Sequence, residues 1–199
     1  MPGKRGPSAF HLLRAGSARK TYAPFFVLGP YIAQHSMNGA RSWWPVVTGE
    51  GVGALLGGLA GLRWKPRVPM VTTGLLFMVT AVQNVILALH PSTALLTPAA
   101  AGAGFAFALG SVIWDTTLQR VIPPEKLARV ASYGWMGAMV FLPAGYALAG
   151  PVSMVIGLKA DLLIAAGWIV ASTLVVVRLR AVREVSYEPA SEAVPVPAQ

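Results

Sequence analysis

The stretch "TGEGVGALLGGLAGLRWKPR", residues 48–67, decides between two very different folds. Its Gly49, Gly51 and Ala54 fit a loose G-x-G-x-x-A pattern, which cradles a dinucleotide phosphate when it follows a buried strand. The preceding "RSWWPVV" has no strand pattern, and its two tryptophans are typical of a membrane interface. The stretch is then apolar as far as Leu62 and ends in a basic loop. It therefore predicts a membrane-spanning helix rather than a nucleotide-binding loop.

Glycines recur along this predicted helix at a spacing of four residues. Residues spaced in this way lie on one face of a helix, and a ridge of small residues lets a neighbouring membrane helix approach closely. We therefore expect a helix-packing surface formed by Gly49, Gly53, Gly57 and Gly61.

Composition agrees with a membrane protein. Apolar residues make up 55% of the 199 residues and charged residues only 12%, about half the share in soluble domains. Cysteine is absent, which excludes disulfides and cysteine metal sites. The net charge of +9 comes from basic residues in short gaps between apolar runs. Because nucleic-acid binding needs basic residues clustered on a polar face, we expect the lipid bilayer, and no nucleic acid, as partner.

Six apolar segments are long enough, or nearly so, to cross a bilayer, which takes about 20 helical residues. We expect an all-α membrane bundle over residues 21–180, with a basic cytoplasmic segment before it (1–20) and a disordered cytoplasmic tail after it (181–199). The first helix is expected to be short or irregular, since it holds two prolines. The segments are 21–34, 43–62, 68–89, 94–119, 133–157 and 160–177.

The charges in the connecting loops predict an orientation. With six crossings, 14 of the 16 basic residues fall on one side of the membrane. Since cytoplasmic loops are enriched in Lys and Arg, both termini are expected in the cytoplasm of a multi-pass plasma-membrane protein.

Two longer stretches carry a resemblance. "GALLGGLAGLRWKPRVPM" (53–70) resembles the eighth helix and the following loop of major facilitator superfamily transporters. "WDTTLQRVIPPEKLARVASYGWMGAMVFLPAGYALAGPVSMVIG" (114–157) is similar to the end of their tenth helix, the next loop and the eleventh helix. The similarity covers about residues 25–180 and is closest to drug exporters of the macrolide and enterobactin type. Its most specific residues are Gln119, Arg120, Pro123, Glu125 and Arg129.

The resemblance implies helices seven to twelve, which is one half of such a transporter. The implied function is secondary transport, with efflux of a small amphipathic molecule, by a truncated half. Because one half supplies one wall of a cavity, the chain would need a homodimer or a separate N-terminal half. The alternative is a non-transporting membrane remnant, or an interaction partner of another transporter half.

Three polar residues inside the segments are candidates for binding a substrate or a coupling ion. Glu50 lies thirteen residues before Arg63, roughly 20 Å at helical rise, and so within the hydrocarbon core. It either couples transport to a proton or cation, or is a protonated structural group hydrogen-bonded between helices. Gln83 and Asn84 either contact substrate or join helices by hydrogen bonds.

The loops on the basic side supply candidates for a gate. The resemblance implies that Asp115 latches to basic residues of adjacent loops, although it is equally compatible with a solvated interfacial residue. Asp161 is expected only to stabilise the start of the last helix through the helix dipole. The gating candidates are Arg63, Lys65, Arg67, Asp115, Gln119, Arg120 and Arg129.

Catalysis has little support in the sequence. His11, His35 and His90 are far apart, and none has a neighbour with metal-ligand spacing. Hydrolase and metalloprotease motifs are missing. We therefore expect neither enzymatic activity nor a cofactor or bound metal.

Overall fold

The computed structural model describes residues 22–121 and 145–178, together with positions 132, 136, 139 and 143. Within these ranges all regular structure is α-helical, in agreement with the predicted all-α class. The predicted N-terminal segment and tail lie outside the described residues. The described residues form six helices: α1 (Tyr22–Ser36), α2 (Ala40–Arg63), α3 (Pro69–Leu89), α4 (Thr93–Val121), α5 (described over Gly145–Ile156) and α6 (Leu158–Arg178).

Four of the helices are long and apolar enough to cross a membrane, namely α2, α3, α4 and α6. Each lies over one of the predicted segments. The α1 helix has 15 residues, roughly 22 Å, which is less than the ~30 Å hydrocarbon thickness of a bilayer. The chain therefore has the character of a membrane protein, while the crossing of all six segments and their orientation remain predictions.

Short turns at 37–39, 64–68, 90–92 and 157 join the helices of the described ranges. The N–H groups of Met37 and Gly39 both donate to the Ala33 carbonyl, at 3.1 and 3.0 Å, which ends α1. Gly39 has a φ of +61°, a conformation that side chains rarely tolerate, and α2 begins at the next residue. Pro69 opens α3, where a missing N–H costs no helical hydrogen bond.

The helices pack in a defined order of neighbours. The α4 helix contacts both α2 and α3, and α3 also contacts α6, which gives the row α2, α4, α3, α6. The α1 helix makes smaller contacts with α2, α3 and α6.

The larger cluster of buried apolar residues lies toward one end of the helices. We call it the outer end, defined by the turns at residues 37–39, 90–92 and 157, because the charge pattern predicts it to face outside. The opposite end, which contains the loop 64–68, is the inner end. The buried core cluster contains Phe25, Leu28, Ile32, Val46, Leu87, Ala88, Leu96, Ala100 and Leu162.

The α1 helix is attached to this core through an aromatic contact. The ring centroid of Phe25 lies 5.3 Å from that of Trp43 at the start of α2. The Trp43 ring lies directly on Gly29, where a side-chain carbon would find no space. This tryptophan adds a close contact with α2 to the burial of Leu28 and Ile32 in the core cluster.

One side of α2 is apolar and open. Val52, Leu55, Leu59 and Leu62 are each more than half exposed. In water such a row would be unfavourable, whereas in a bilayer it meets acyl chains. This exposed row supports the assignment of α2 as a membrane helix.

Candidate functional site

The predicted glycine ridge of α2 lies against α4. A side-chain carbon added at Gly53 would collide with the backbone carbonyl of Ala101, and one at Gly57 with that of Phe105. At Gly49 it would lie 3.0 Å from the Thr97 carbonyl oxygen. These contacts are between backbones, so only glycine fits at Gly53 and Gly57 without a shift of α4.

The contact is reciprocal, and it sets the direction of the two helices. A side-chain carbon added at Gly104 of α4 would collide with the backbone carbonyl of Glu50. Gly61 lies farther along, where an added carbon would come within 2.9 Å of the Val112 side chain. Since successive glycines of α2 meet successive turns of α4, the helices run parallel and their inner ends lie together.

Glu50 lies on the packed side of α2. Only 8% of it is exposed, and it shares its face with Val46, Gly53 and Gly57. It follows Ala40, the first residue of α2, by ten positions, which places it roughly 15 Å below the outer end. A carboxylate at such a depth in a membrane helix is costly unless it is paired, hydrated or protonated.

The two candidate amides of α3 are almost fully buried. Gln83 and Asn84 are each 1% exposed. The Asn84 Nδ2 donates to the Thr80 carbonyl at 3.2 Å. Among the described residues, neither Gln83 Oε1 nor Asn84 Oδ1 has a hydrogen-bond partner. A buried acceptor left unsatisfied costs about 1–3 kcal/mol, so both oxygens can accept a hydrogen bond from a ligand or water.

Two further buried polar groups were not predicted as site residues. Asp161 is 8% exposed, and its Oδ2 has no hydrogen-bond partner within the described ranges. The same holds for the hydroxyl of Thr97, on the turn of α4 that meets Gly49. In the sequence, Asp161 is an acidic residue in the first turn of a helix. Such residues are favoured there whether they are exposed or buried, so the sequence does not reveal its burial.

The buried carboxyl and amide residues lie in the outer half of the bundle, namely Glu50, Gln83, Asn84 and Asp161. Gln83 lies six residues before Leu89, the last residue of α3, and so about 9 Å below the outer end. Asp161 lies three residues into α6, at about 4.5 Å. Together with Glu50 they come from three different helices, around and below the core cluster. Any aqueous access to them is shorter from the outer end.

The gating candidates lie at the inner end. Arg63 is the last residue of α2, and Lys65 and Arg67 are exposed in the following loop. Because α2 and α4 run parallel and Gly61 meets Val112, Asp115 lies at about the level of this loop. Gln119 and Arg120, which are also exposed, occupy the last turns of α4, and Arg129 lies outside the described residues.

Over the described part of the chain no group of three or more histidine, cysteine, aspartate or glutamate side chains is close enough to hold a metal ion. The described histidines, His35 and His90, are exposed near the outer end.

Compared with models of protein families, with curated proteins and with solved structures, the chain gives no match. The similarity to transporters therefore depends on the quoted sequence motifs alone.

Proposed function

We propose that this chain is one half of a secondary transporter that exports small amphipathic molecules. The observation that carries the proposal is the burial of Glu50 inside a helix long enough to span the membrane. Ionisable residues within membrane helices are rare and usually mark a substrate or ion pathway. Gln83 and Asn84 add hydrogen-bonding groups in the same half of the bundle.

The packing supports separate roles for Glu50 and for the inner end of the bundle in this mechanism. Close backbone contact couples α2 to α4, so Glu50 moves together with both helices. In alternating access, one repeat or half rocks against the other around a site near the membrane midplane. Under this proposal Glu50 is the coupling residue. The turn of α4 that contains Asp115 forms the inner gate together with the 64–68 loop.

A second copy or a separate N-terminal half supplies the other wall of the pathway. Six helices provide one side of a cavity, so an isolated chain is expected to move no substrate. We therefore expect transport only when two halves are joined.

The competing function is a membrane protein that transports nothing. The hydrogen bond of Asn84 favours this alternative, since its amide N–H donates to the Thr80 carbonyl of the same helix. Several buried hydroxyls are also satisfied within their own helices, such as Thr73 on the Pro69 carbonyl at 2.8 Å. Such local bonds are structural and leave less polar surface for a substrate.

Efflux of a cationic dye from proteoliposomes tests the proposal. The chain is reconstituted alone, as a tandem fusion of two copies, and as a fusion to the N-terminal half of a macrolide exporter. We expect no dye movement from the single chain, and saturable efflux from at least one fusion.

Neutralising Glu50 separates a coupling role from a structural one. Glu50→Gln in the active fusion should abolish efflux without loss of expression. The control Arg41→Gln removes a charge from an exposed position on the same helix and should leave efflux unchanged. Failure of both fusions, with stable helical protein, would favour the non-transporting alternative.

A further inference from the structure

A polar layer lies where α4 packs between α2 and α3. Gly49 of α2 lies against the turn of α4 that contains Thr97. One turn further along, Gly53 lies against Ala101. Glu50 therefore lies between these two levels of α4. Because Thr97 follows the first residue of α4 by four positions, the layer is about 7 Å below the start of that helix.

The α3 helix brings Asn84 into the same layer. The ring centroids of Phe77 and Phe107 lie 5.7 Å apart. Thr73, one turn earlier in α3, lies close to Gly110, which comes later in α4, so the two helices run antiparallel. Asn84 follows Phe77 by seven residues, which is about two turns, so it lies on the same side of α3, facing α4. Its level on α4 is about seven residues before Phe107, which is within the polar layer.

Two oxygens of this layer are available to a ligand. Among the described residues, the buried Asn84 Oδ1 and the buried hydroxyl oxygen of Thr97 have no hydrogen-bond partner. Thr117 of the same helix differs, because its hydroxyl donates to the Ile113 carbonyl at 2.7 Å, as threonines in helix interiors often do. With the carboxyl group of Glu50, three helices bring oxygen atoms to one level of the bundle.

These oxygens fit a small monovalent metal cation. Hard cations take oxygen ligands, including carboxylates and amide carbonyl groups. One carboxylate balances one positive charge, so a monovalent ion leaves the layer neutral, whereas uncompensated charge inside a membrane is costly. A proton on Glu50 would supply a single O–H donor and could satisfy one acceptor, while a cation contacts several oxygens at once.

We propose that Glu50, Thr97 and Asn84 bind one sodium ion between α2, α3 and α4. The layer is nearer to the outer end, which the charge pattern predicts to face the outside, where sodium is the commoner alkali ion. Its role as the coupling ion rests on the proposed transport function, whereas binding itself can be measured without transport. The ion is an exchangeable cargo of the transport cycle and not a resident cofactor.

Binding of radioactive sodium to the full chain in detergent, read by scintillation proximity, measures the site directly. We expect a single saturable class of sodium sites, which Glu50→Gln abolishes. Thr97→Val keeps the shape of the side chain but removes its oxygen, and should weaken the affinity about tenfold. The matched control is Thr117→Val on the same helix, which removes a hydroxyl already bonded within α4 and should keep the native affinity.

Thermal unfolding gives an independent readout for Asn84. Asn84→Leu removes a buried oxygen that has no partner among the described residues, so in choline chloride the variant should be at least as stable as the native chain. Sodium chloride of equal ionic strength, at ten times the dissociation constant, should raise the native melting temperature by about 4 °C. The Asn84→Leu variant should show little of this rise. A purely structural role of Asn84 would instead lower the melting temperature equally in both salts.

The outcomes separate this site from the transport proposal. Equal melting temperatures in sodium and choline, with no sodium bound, would overturn the site. Equal sodium affinities of Thr97→Val and Thr117→Val would remove Thr97 from the ligands. Efflux by a fusion that requires Glu50 but not sodium would keep the transport proposal and assign Glu50 to a proton. Sodium binding without efflux from either fusion would keep the site and remove the transport proposal.

Discussion

The α2–α4 and α3–α6 contacts both involve glycine, yet they differ in what the glycine meets. In α2–α4, Gly53 and Gly57 face backbone carbonyl groups of α4. In α3–α6, a carbon added at Gly74 would lie 3.3 Å from the Thr173 Cγ2 and 3.4 Å from the Val177 Cγ2. Lipid removes the hydrophobic drive between membrane helices, so close packing supplies the stability. The first contact is therefore rigid, while the second can adjust.

The largest expected effect is at the rigid contact. Gly53→Ala should destabilise the bundle by about 3 kcal/mol, because the new methyl group meets backbone that cannot move aside alone. Reversible unfolding in mixed detergent micelles measures this change. Gly58→Ala on the same helix has open space and should instead stabilise by up to about 1 kcal/mol through helix propensity. Equal stability of the two variants would mean that α2 and α4 are not in contact through this ridge.

A somewhat smaller effect is expected from the α4 side. Gly104→Ala should cost about 2 kcal/mol, since its methyl group would meet the Glu50 carbonyl. Combined with Gly53→Ala, it should cost less than the sum, because the first substitution has already separated the helices. Strict additivity in this double-mutant cycle would contradict a shared contact.

The smallest effect is expected at the adjustable contact. Gly74→Ala meets two side-chain methyl groups that need to shift by only a few tenths of an ångström. A gain in helix propensity of up to about 1 kcal/mol offsets this cost, so the net change should lie within about 1 kcal/mol of zero. A loss comparable to that of Gly53→Ala would show that α3 and α6 are as tightly joined as α2 and α4.

The length of the apolar segments predicts the helices well. The predicted segment 68–89 corresponds to the helix Pro69–Leu89, and the segment 94–119 corresponds to Thr93–Val121. The spacing of glycines also identifies the face of α2 that is formed by small residues. It does not identify the neighbour, because a ridge fits any helix that comes near, and the choice of α4 depends on packing across the whole row.

Burial of single polar residues is harder to predict. Asp161 has the sequence context of a solvated first-turn acid, and it is buried in the tertiary structure at the outer end, where α6 also meets α1 and α3. Gln83 and Asn84 were recognisable as polar residues in an apolar segment. Which of their oxygens lack partners depends on side-chain directions that no periodicity encodes.

The seating of Trp43 on Gly29 has a consequence for how the chain enters the membrane. Only 15 residues long and interrupted by Pro30, α1 has little capacity to partition into lipid from the translocon by itself. Trp43, the first residue to pack on α1, is synthesised after it, at the start of α2. We therefore expect α1 to wait at the interface and to insert with α2 as a helical hairpin. Glycosylation mapping of nascent chains that end after Ser36 or after Arg63 would reveal this order, with stable insertion of α1 only in the longer chain.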